Sequence, residues 1–263
     1  MSFPQKYRPP LREDAGVDNL LSRWGLQGYD VRPLTEGTNN TGFYVGDEFV
    51  LRIHRNGITP SYEHAVLRAL SGLSFAVPVP VPVAGETAVR GELHGRPVLA
   101  SLSHRIPGEH PARGDAPRAE ACGRALAELD HALGRLDETE LPQPPVWDGD
   151  LTNIHPCVPS IDRVTAILDF ETAGRGHRAM DLAVGRFFFG DVGRPSAAFE
   201  RGYLDVLPLT GAEVFALREL ELMREATSFV HWYGRYVEGQ TTAEDIAGRV
   251  ERLRGVEDWA RER

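Results

Sequence analysis

Three oxygen-bearing side chains in the middle of the chain have the types and spacing needed to bind a divalent cation and accept a proton. Asp148 and Asn153 are separated by four residues, and Asp169 follows further along the chain. Asp169 ends the apolar, β-branched run 164–168, which predicts a buried strand. A carboxylate at the end of such a strand is costly unless it is paired or bound to a ligand. Coordination of Mg²⁺ by Asn153 and Asp169 would provide that ligand, since Mg²⁺ prefers hard oxygen atoms.

The spacing from Asp148 to Asn153 is also that of a kinase catalytic loop, D-x-x-x-x-N. In such a loop, the aspartate orients an attacking hydroxyl group and accepts its proton. Asp150, in the Gly-Asp-Leu sequence at 149–151, is the alternative base. That alternative would shorten the loop before Asn153 by two residues, although base and metal ligand must converge on one phosphate. The loop geometry therefore favours Asp148, and Asp150 stays open as the second assignment.

Transfer of a phosphoryl group also needs backbone N–H donors and a fixed cation for the phosphates. The sequence EGTNNTG at 36–42 approaches a predicted hairpin, and glycine and asparagine tolerate the positive φ of a phosphate-binding loop. The candidate phosphate-binding residues in it are Gly37, Thr38, Asn39 and Asn40. Arg52 is the candidate cation, because strand alternation places it opposite Leu51 and Ile53. Glu63, in the next predicted helix, could hold Arg52 in place as an ion pair.

The elements that must position these residues change character near residue 106. Before that point the patterns predict mainly strands, near 29–34, 43–45, 49–54, 86–93 and 97–102. They also predict helices at 11–26 and 61–70, the second capped by Ser61, and a proline-rich extended segment at 77–83. After it they predict mainly helices, at 117–136, 211–237 and 242–261, with a strand at 164–168. This order predicts two lobes with a cleft between them: a small β-rich N-lobe, 1–106, and a larger helical C-lobe, 107–263.

Composition narrows the class of protein. The 263 residues include 41% hydrophobic and 25% charged residues, as in globular proteins that bury a core. The formal net charge of −9 argues against nucleic acid as a partner and suits a cationic small molecule. The absence of a long apolar run and of a signal-type N-terminus, with only two cysteines, predicts a cytoplasmic protein without a membrane partner. No pattern indicates an oligomeric state.

Taken together, the motifs resemble the superfamily of aminoglycoside phosphotransferases, choline kinases and type II homoserine kinases. The matching stretches are 36–41, 51–53, 106–109, 123–131, 148–153, 167–174 and 180–183. The resemblance implies an α+β, bilobal protein-kinase-like fold. It also implies a phosphotransferase that uses ATP (or GTP) and Mg²⁺ to phosphorylate a hydroxyl group of a small molecule. That acceptor would be an aminoglycoside-like antibiotic or a metabolite related to amino alcohols or homoserine.

The resemblance further implies a role for each candidate residue. Asp148 (or Asp150) would be the base, and Asn153 and Asp169 would hold Mg²⁺. Arg52 would contact the ATP phosphates, and Glu63 would orient it. Backbone groups near Leu102 and His104 would receive the adenine, and Asp181 would anchor the catalytic loop. The sequence departs from the family pattern at Val146, where a histidine is usual, and at Arg52, where lysine is commoner. The missing histidine leaves an alternative: a nucleotide-binding protein of the same fold with weak or no catalysis and a regulatory role.

Overall fold

One antiparallel sheet forms the first part of the chain. The computed structural model describes residues 15–34, 41–54, 60–112, 114–143, 155–157, 164–170, 176–191, 193–239 and 241–262. Within them, five strands pair in the spatial order β1-β2-β3-β5-β4, namely β1 (Val31–Pro33), β2 (Thr41–Val45), β3 (Phe49–His54), β4 (Val89–Leu93) and β5 (Arg96–His104). The predicted hairpin at 43–54 is confirmed, and its turn begins at Gly46, whose φ of 55° suits glycine.

Alternation along β2 and β3 gives the sheet two different faces. Phe43, Leu51 and Ile53 are buried in an apolar cluster that also contains residues of α1 (Ala15–Leu21). A short 3₁₀ helix, Ser22–Trp24, follows α1, so the predicted helix near 11–26 is confirmed within the described residues. Arg52 lies on the opposite face from Leu51 and Ile53, as the alternation predicts. The sheet therefore buries one face under α1 and leaves the other to carry polar side chains.

The helix after β3 runs across that polar face. It is α2 (Ser61–Ala69), and its buried residues include Glu63 and His64 as well as Val66 and Leu67. The expected cap at Ser61 is wrong: Pro60 is the N-cap residue, and its side chain makes no capping hydrogen bond. Proline fixes φ near the helical value and has no side-chain acceptor, so it starts the helix by conformation alone.

The proline-rich segment at 77–83 is extended, as predicted, and connects the sheet with the second part of the chain. The N–H of Val81 donates to the Leu102 carbonyl on β5 at 2.7 Å. Just before the segment, the N–H of Ala76 donates to the Thr165 carbonyl at 2.8 Å, and the Ala76 carbonyl accepts from Ile167 at 3.1 Å. These bonds fix β7 (Ala166–Leu168) relative to the sheet. They therefore also set where Asp169, the next residue, can lie.

The second part of the chain is mainly helical. Its elements are α3 (Ala116–Leu133), a 3₁₀ helix (Glu138–Glu140), β6 (His155–Cys157) paired with β7, α4 (Arg178–Phe188), α5 (Ala197–Val206), α6 (Gly211–Val237) and α7 (Ala243–Arg261). The predicted helices at 211–237 and 242–261 are confirmed. Thr210 and Thr242 begin them with capping boxes, in which the threonine oxygen and a carboxylate three residues later satisfy backbone N–H groups.

Helices α3 and α5 approach each other closely through two glycines. A Cβ atom built on Gly123 would lie 2.1 Å from the Phe199 carbonyl oxygen, and one on Gly202 would lie 2.0 Å from that of Glu120. Neither position can therefore accept a side chain without moving the backbone of the facing helix. The buried core around this contact also includes Val66 and Leu67 of α2, so that helix joins the sheet to the helical region.

The α+β fold expected from the sequence is confirmed, with an antiparallel sheet first and a helical region after it. In the part of the chain that the structure describes, every helix is too short or too polar to cross a membrane.

Candidate active site

The Arg52–Glu63 ion pair lies on the polar face of the sheet. Arg52 Nη1 is 2.7 Å from Glu63 Oε1, and the two side chains are 20% and 6% exposed. Strand alternation directs Arg52 toward α2, and Glu63 is in the first turn of that helix, where the helix dipole favours a negative charge. The pairing expected from the sequence is therefore present. It holds a guanidinium group in one position at the edge of solvent.

Two histidines beside this pair are neutral near pH 7. His54 follows Arg52 by two residues on the same face of β3, and its Nε2 lies 2.9 Å from Ser101 Oγ. His64 on α2 has its Nδ1 2.9 Å from Thr87 Oγ1. Burial first, and the charge of Arg52 second, lower the pKa of His54 to about 3 and that of His64 to about 4. The two rings therefore add no positive charge beside Arg52.

Asp169 has an unusual backbone conformation directly after β7. Its φ is +70°, in the left-handed region that few residues other than glycine and asparagine adopt, and its side chain is half-buried. Ala166 and Ile167 before it and Phe170 after it are buried. A strained residue held between buried neighbours is typical of a functional position. The predicted metal ligand thus projects from a rigid strand end and keeps some exposure to solvent.

Several predicted site residues lie outside the described residues. They are the candidate bases Asp148 and Asp150, the metal ligand Asn153, and the phosphate-loop residues Gly37, Thr38, Asn39 and Asn40. Their roles remain predictions. The structure therefore brings together Arg52 and Glu63, and it positions Asp169 through the bonds between Ala76 and β7.

The predicted adenine connector lies at the end of β5. Leu102 is buried, and its carbonyl is already hydrogen-bonded to Val81. His104 is exposed, with its ring 4.9 Å from that of Phe49. The N–H of Arg105 donates to the Glu48 carbonyl at 2.7 Å, which ties the connector to the β2–β3 turn. Contact with a nucleobase at this connector remains a prediction.

A buried acidic cluster in the helical region was not foreseen from the sequence. The Tyr203 hydroxyl donates to Asp130 Oδ2 at 2.6 Å, and both residues are buried. Burial, together with the nearby charge of Asp181, raises the pKa of Asp130 well above its ordinary value. Asp130 lies within the apolar stripe of α3, and a carboxylate at such a position is the only sequence signal for the cluster. Asp181 therefore lies near this buried pair, and its role as an anchor of the catalytic loop remains a prediction.

Part of the sequence matches a known family. Residues 30–155 match the sequence model of APH, the phosphotransferase enzyme family. None of the curated protein sequences matches the chain. Solved structures match it over most of its length.

Three kinases or phosphotransferases among these structures illustrate the likeness. A microcompartment-associated aminopropanol kinase is 15% identical, with a TM-score of 0.72 over 93% of this chain and 95% of its own. The GDP complex of aminoglycoside 2'-phosphotransferase-IIIa is 13% identical, with a TM-score of 0.60 over 94% and 98%. An amicoumacin kinase in complex with AMP-PNP and Ca²⁺ is 16% identical, with a TM-score of 0.62 over 87% and 88%. The likeness predicted from the motifs is thus confirmed: residues 30–155 match the sequence model of the APH phosphotransferase family, and most of the chain shares the fold of these kinases and phosphotransferases.

Proposed function

We propose that this protein transfers the γ-phosphate of ATP to a hydroxyl group of a small molecule, with Mg²⁺ as the cofactor. The observation that supports this most strongly is the Arg52–Glu63 ion pair. It is a pre-organised cation on the polar face of the sheet, within a chain that has the fold of small-molecule kinases. Electrostatic positioning of phosphates supplies much of the catalysis in phosphoryl transfer. GTP is the alternative donor, since one structural neighbour was solved with GDP.

The side chain of Asp169 fits a divalent cation. Asp169 offers a half-exposed carboxylate from a constrained backbone, and Asn153 is the predicted amide ligand. Asp169 and Asn153 would hold Mg²⁺, which would supply positive charge to neutralise the phosphates. A neighbouring structure contains AMP-PNP together with Ca²⁺, which is consistent with a divalent cation beside a nucleotide.

In the proposed reaction, the acceptor oxygen forms a bond to the γ-phosphorus while the bond from that phosphorus to the β–γ bridging oxygen breaks. ADP leaves with the bridging oxygen. The hydroxyl proton passes to the carboxylate of Asp148, or of Asp150 in the alternative assignment. Arg52 holds the phosphates through charge-assisted hydrogen bonds, and Glu63 limits the rotamers that Arg52 can adopt.

The acceptor class is an amine-bearing alcohol or aminoglycoside. The formal net charge of −9 favours a cationic molecule, and the aminopropanol and aminoglycoside kinases have the same fold. A screen of nucleotide consumption over aminopropanol, aminoglycosides, homoserine, choline, ethanolamine and sugars tests this class. We expect turnover with at least one amine-bearing acceptor and none with neutral sugars.

The rival function is nucleotide binding without efficient catalysis, and Val146 at the usual histidine position favours it. Thermal denaturation with ATP and Mg²⁺ separates the two. Stabilisation by the nucleotide without turnover on any acceptor would support the rival. The absence of both stabilisation and turnover would contradict the proposed function and its rival.

A further inference from the structure

A group of arginines lies between the last two helices, far along the chain from the candidate active-site residues. Arg224 and Arg235 belong to α6, and Arg249 and Arg252 belong to α7. All four are partly buried, in a chain whose formal net charge is −9. Half-buried cations of this kind are usually matched by carboxylates, because desolvating an unpaired charge is costly.

Arg252 has a close carboxylate partner that accounts for its charge. Arg252 donates to both oxygens of Glu225, with nitrogen–oxygen distances of 2.5 and 3.0 Å, and also to the Phe187 carbonyl at 2.7 Å. This bidentate pair uses the carboxylate that lies nearest the group. Glu225 is itself buried and is therefore committed to Arg252.

Arg249 is held differently. Its guanidinium carbon lies 3.8 Å from the centroid of the Trp232 ring, and that of Arg235 lies 5.3 Å from the same ring. Its Nη1 is 3.5 Å from Ser228 Oγ, at the limit of a hydrogen bond. Among the described residues, no carboxylate oxygen lies within 4.0 Å of the Arg249 guanidinium. Stacking on Trp232 fixes the plane of the group and leaves its N–H edge for another acceptor.

The acidic residue one turn before Arg249 is committed elsewhere. Asp245 accepts hydrogen bonds from the hydroxyls of Thr241 and Thr242 and from the Thr242 N–H. These donors lower the pKa of Asp245 to about 2. It remains charged, and its Oδ2 accepts all three of these hydrogen bonds at the helix cap. Asp245 therefore reduces the local positive potential without pairing with Arg249.

Burial and the neighbouring guanidinium groups both act on the pKa of Arg249. Burial, followed by the charges of Arg252 and Arg224, lowers its pKa to about 10. The group is still charged at pH 7. A bound anion would supply opposite charge that offsets both the desolvation and the repulsion, whereas a neutral ligand would supply none.

We propose that the α6–α7 junction binds a phosphate-type oxyanion, held by the guanidinium edge of Arg249 and the hydroxyl of Ser228 on the Trp232 platform. Arginine presents paired N–H donors that match phosphate oxygens. The ligand is inorganic phosphate or the phosphate group of a small monoester. This site does not depend on the proposed phosphotransferase activity.

Isothermal titration of the full chain with inorganic phosphate and with phosphoethanolamine, at constant ionic strength set by a chloride salt, tests the proposal. We expect saturable binding that Arg249→Gln weakens roughly tenfold or more, as loss of charge-assisted hydrogen bonds predicts. The matched control is Arg254→Gln, an exposed arginine on the same helix, which should leave the affinity unchanged. The tighter of the two probes identifies whether free phosphate or an ester is preferred.

Two further variants test whether the planar guanidinium group of Arg249 is required and whether binding occurs at this site rather than at the sheet. Arg249→Lys retains the charge and is expected to fold, but it loses the planar fork and should bind at least about threefold more weakly. Arg52→Gln should keep this binding, since Arg52 lies on the sheet. Absence of saturable binding, equal affinity in wild type and Arg249→Lys, or loss of binding in Arg52→Gln alone would overturn the proposal.

Discussion

Arg52 and Glu63 depend on each other for both charge balance and position. Replacing Arg52 with glutamine should lower kcat/KM for the nucleotide about 10- to 100-fold, the value of a lost charge-assisted hydrogen bond. It should also lower the free energy of unfolding by roughly 3 kcal/mol, since Glu63 would remain buried without its partner. Steady-state kinetics and urea denaturation measure the two effects.

The double variant Arg52→Gln/Glu63→Gln separates the effects. Removing both charges should restore most of the stability, because no unpaired buried charge remains. The kinetic defect should persist. Recovery of full nucleotide turnover in the double variant would contradict the assignment of Arg52 to the phosphates.

The assignment of the base to Asp148 or to Asp150 predicts different effects of substitution. Asp148→Asn should lower kcat about 100- to 10,000-fold, as loss of a general base does, while Asp150→Asn should have a smaller effect. The two variants are compared by single-turnover transfer to the acceptor found in the screen. If only Asp150→Asn abolishes turnover, the five-position step to Asn153 does not define the loop.

The neutral histidines predict how stability depends on pH. Above the unfolded pKa of 6.5, both states are neutral at His54 and His64, so the histidines contribute no pH dependence. As the pH falls from 6.5 toward 4, the unfolded state binds protons that the folded state does not, and stability is lost. We expect roughly 1–3 kcal/mol per histidine across this window.

Urea denaturation at pH 7 and pH 4.5 measures this loss. His64→Gln, which can keep a hydrogen bond to Thr87, should show a smaller loss than wild type. The exposed His131→Gln serves as the control. An equal loss in wild type and His64→Gln would show that His64 is not buried in its neutral form.

At this scale the sequence predicts local relations better than distant ones. The Arg52–Glu63 pair follows from strand alternation and helix position within twelve residues. His54 and His64 contact Ser101 and Thr87, respectively, which are distant in the chain. No local sequence pattern therefore predicts the burial of these histidines. Arginine in place of lysine at position 52 agrees with the composition, because Lys6 is the only lysine in the chain.

At the scale of elements, the contact between α3 and α5 is the most restrictive. Gly202→Ala should lower the free energy of unfolding by about 1–3 kcal/mol, because its Cβ would overlap the Glu120 carbonyl and force the two helices apart. The same displacement should weaken the Tyr203–Asp130 hydrogen bond on the next residue. Thermal or urea denaturation measures the change.

Gly248→Ala is the matched control for this substitution. Gly248 is also inside a helix, α7, but a Cβ built there has no atom within 4 Å. Alanine should therefore stabilise the protein by about 0.5–1 kcal/mol through helix propensity. Destabilisation of similar size at both positions would indicate a general intolerance of α-helical substitution rather than close packing at Gly202.

The helices and strands themselves were largely predictable. Strand β3 and helix α6 have the bounds that periodicity and caps predict, because both patterns are strictly local. The start of α2 differs, since Ser61 looks like a cap in sequence although Pro60 takes that position. Close approach at Gly123 and Gly202 was not predictable, because nothing in either helix alone identifies its partner.

At the scale of the whole molecule, several contacts among the described residues connect the first part of the chain to the second. Ala76 bonds to Thr165 and Ile167, Thr165 Oγ1 donates to the Pro107 carbonyl at 3.1 Å, and α2 contributes to the helical core. The predicted division into lobes at 1–106 and 107–263 remains a prediction. These contacts connect β7, which Asp169 directly follows, to the part of the chain that carries Arg52.

The proposed mechanism requires Asp169, as a metal ligand, and Arg52, as a phosphate contact, to act in the same phosphoryl transfer. The most direct measurement is transfer of labelled γ-phosphate from ATP to the acceptor found in the screen, in the presence of Mg²⁺, by wild type and by Asp169→Asn. We expect transfer by wild type and a loss of at least about a hundredfold in the variant, because a metal ligand stabilises the transition state by several kcal/mol. Equal transfer by the two proteins would contradict it.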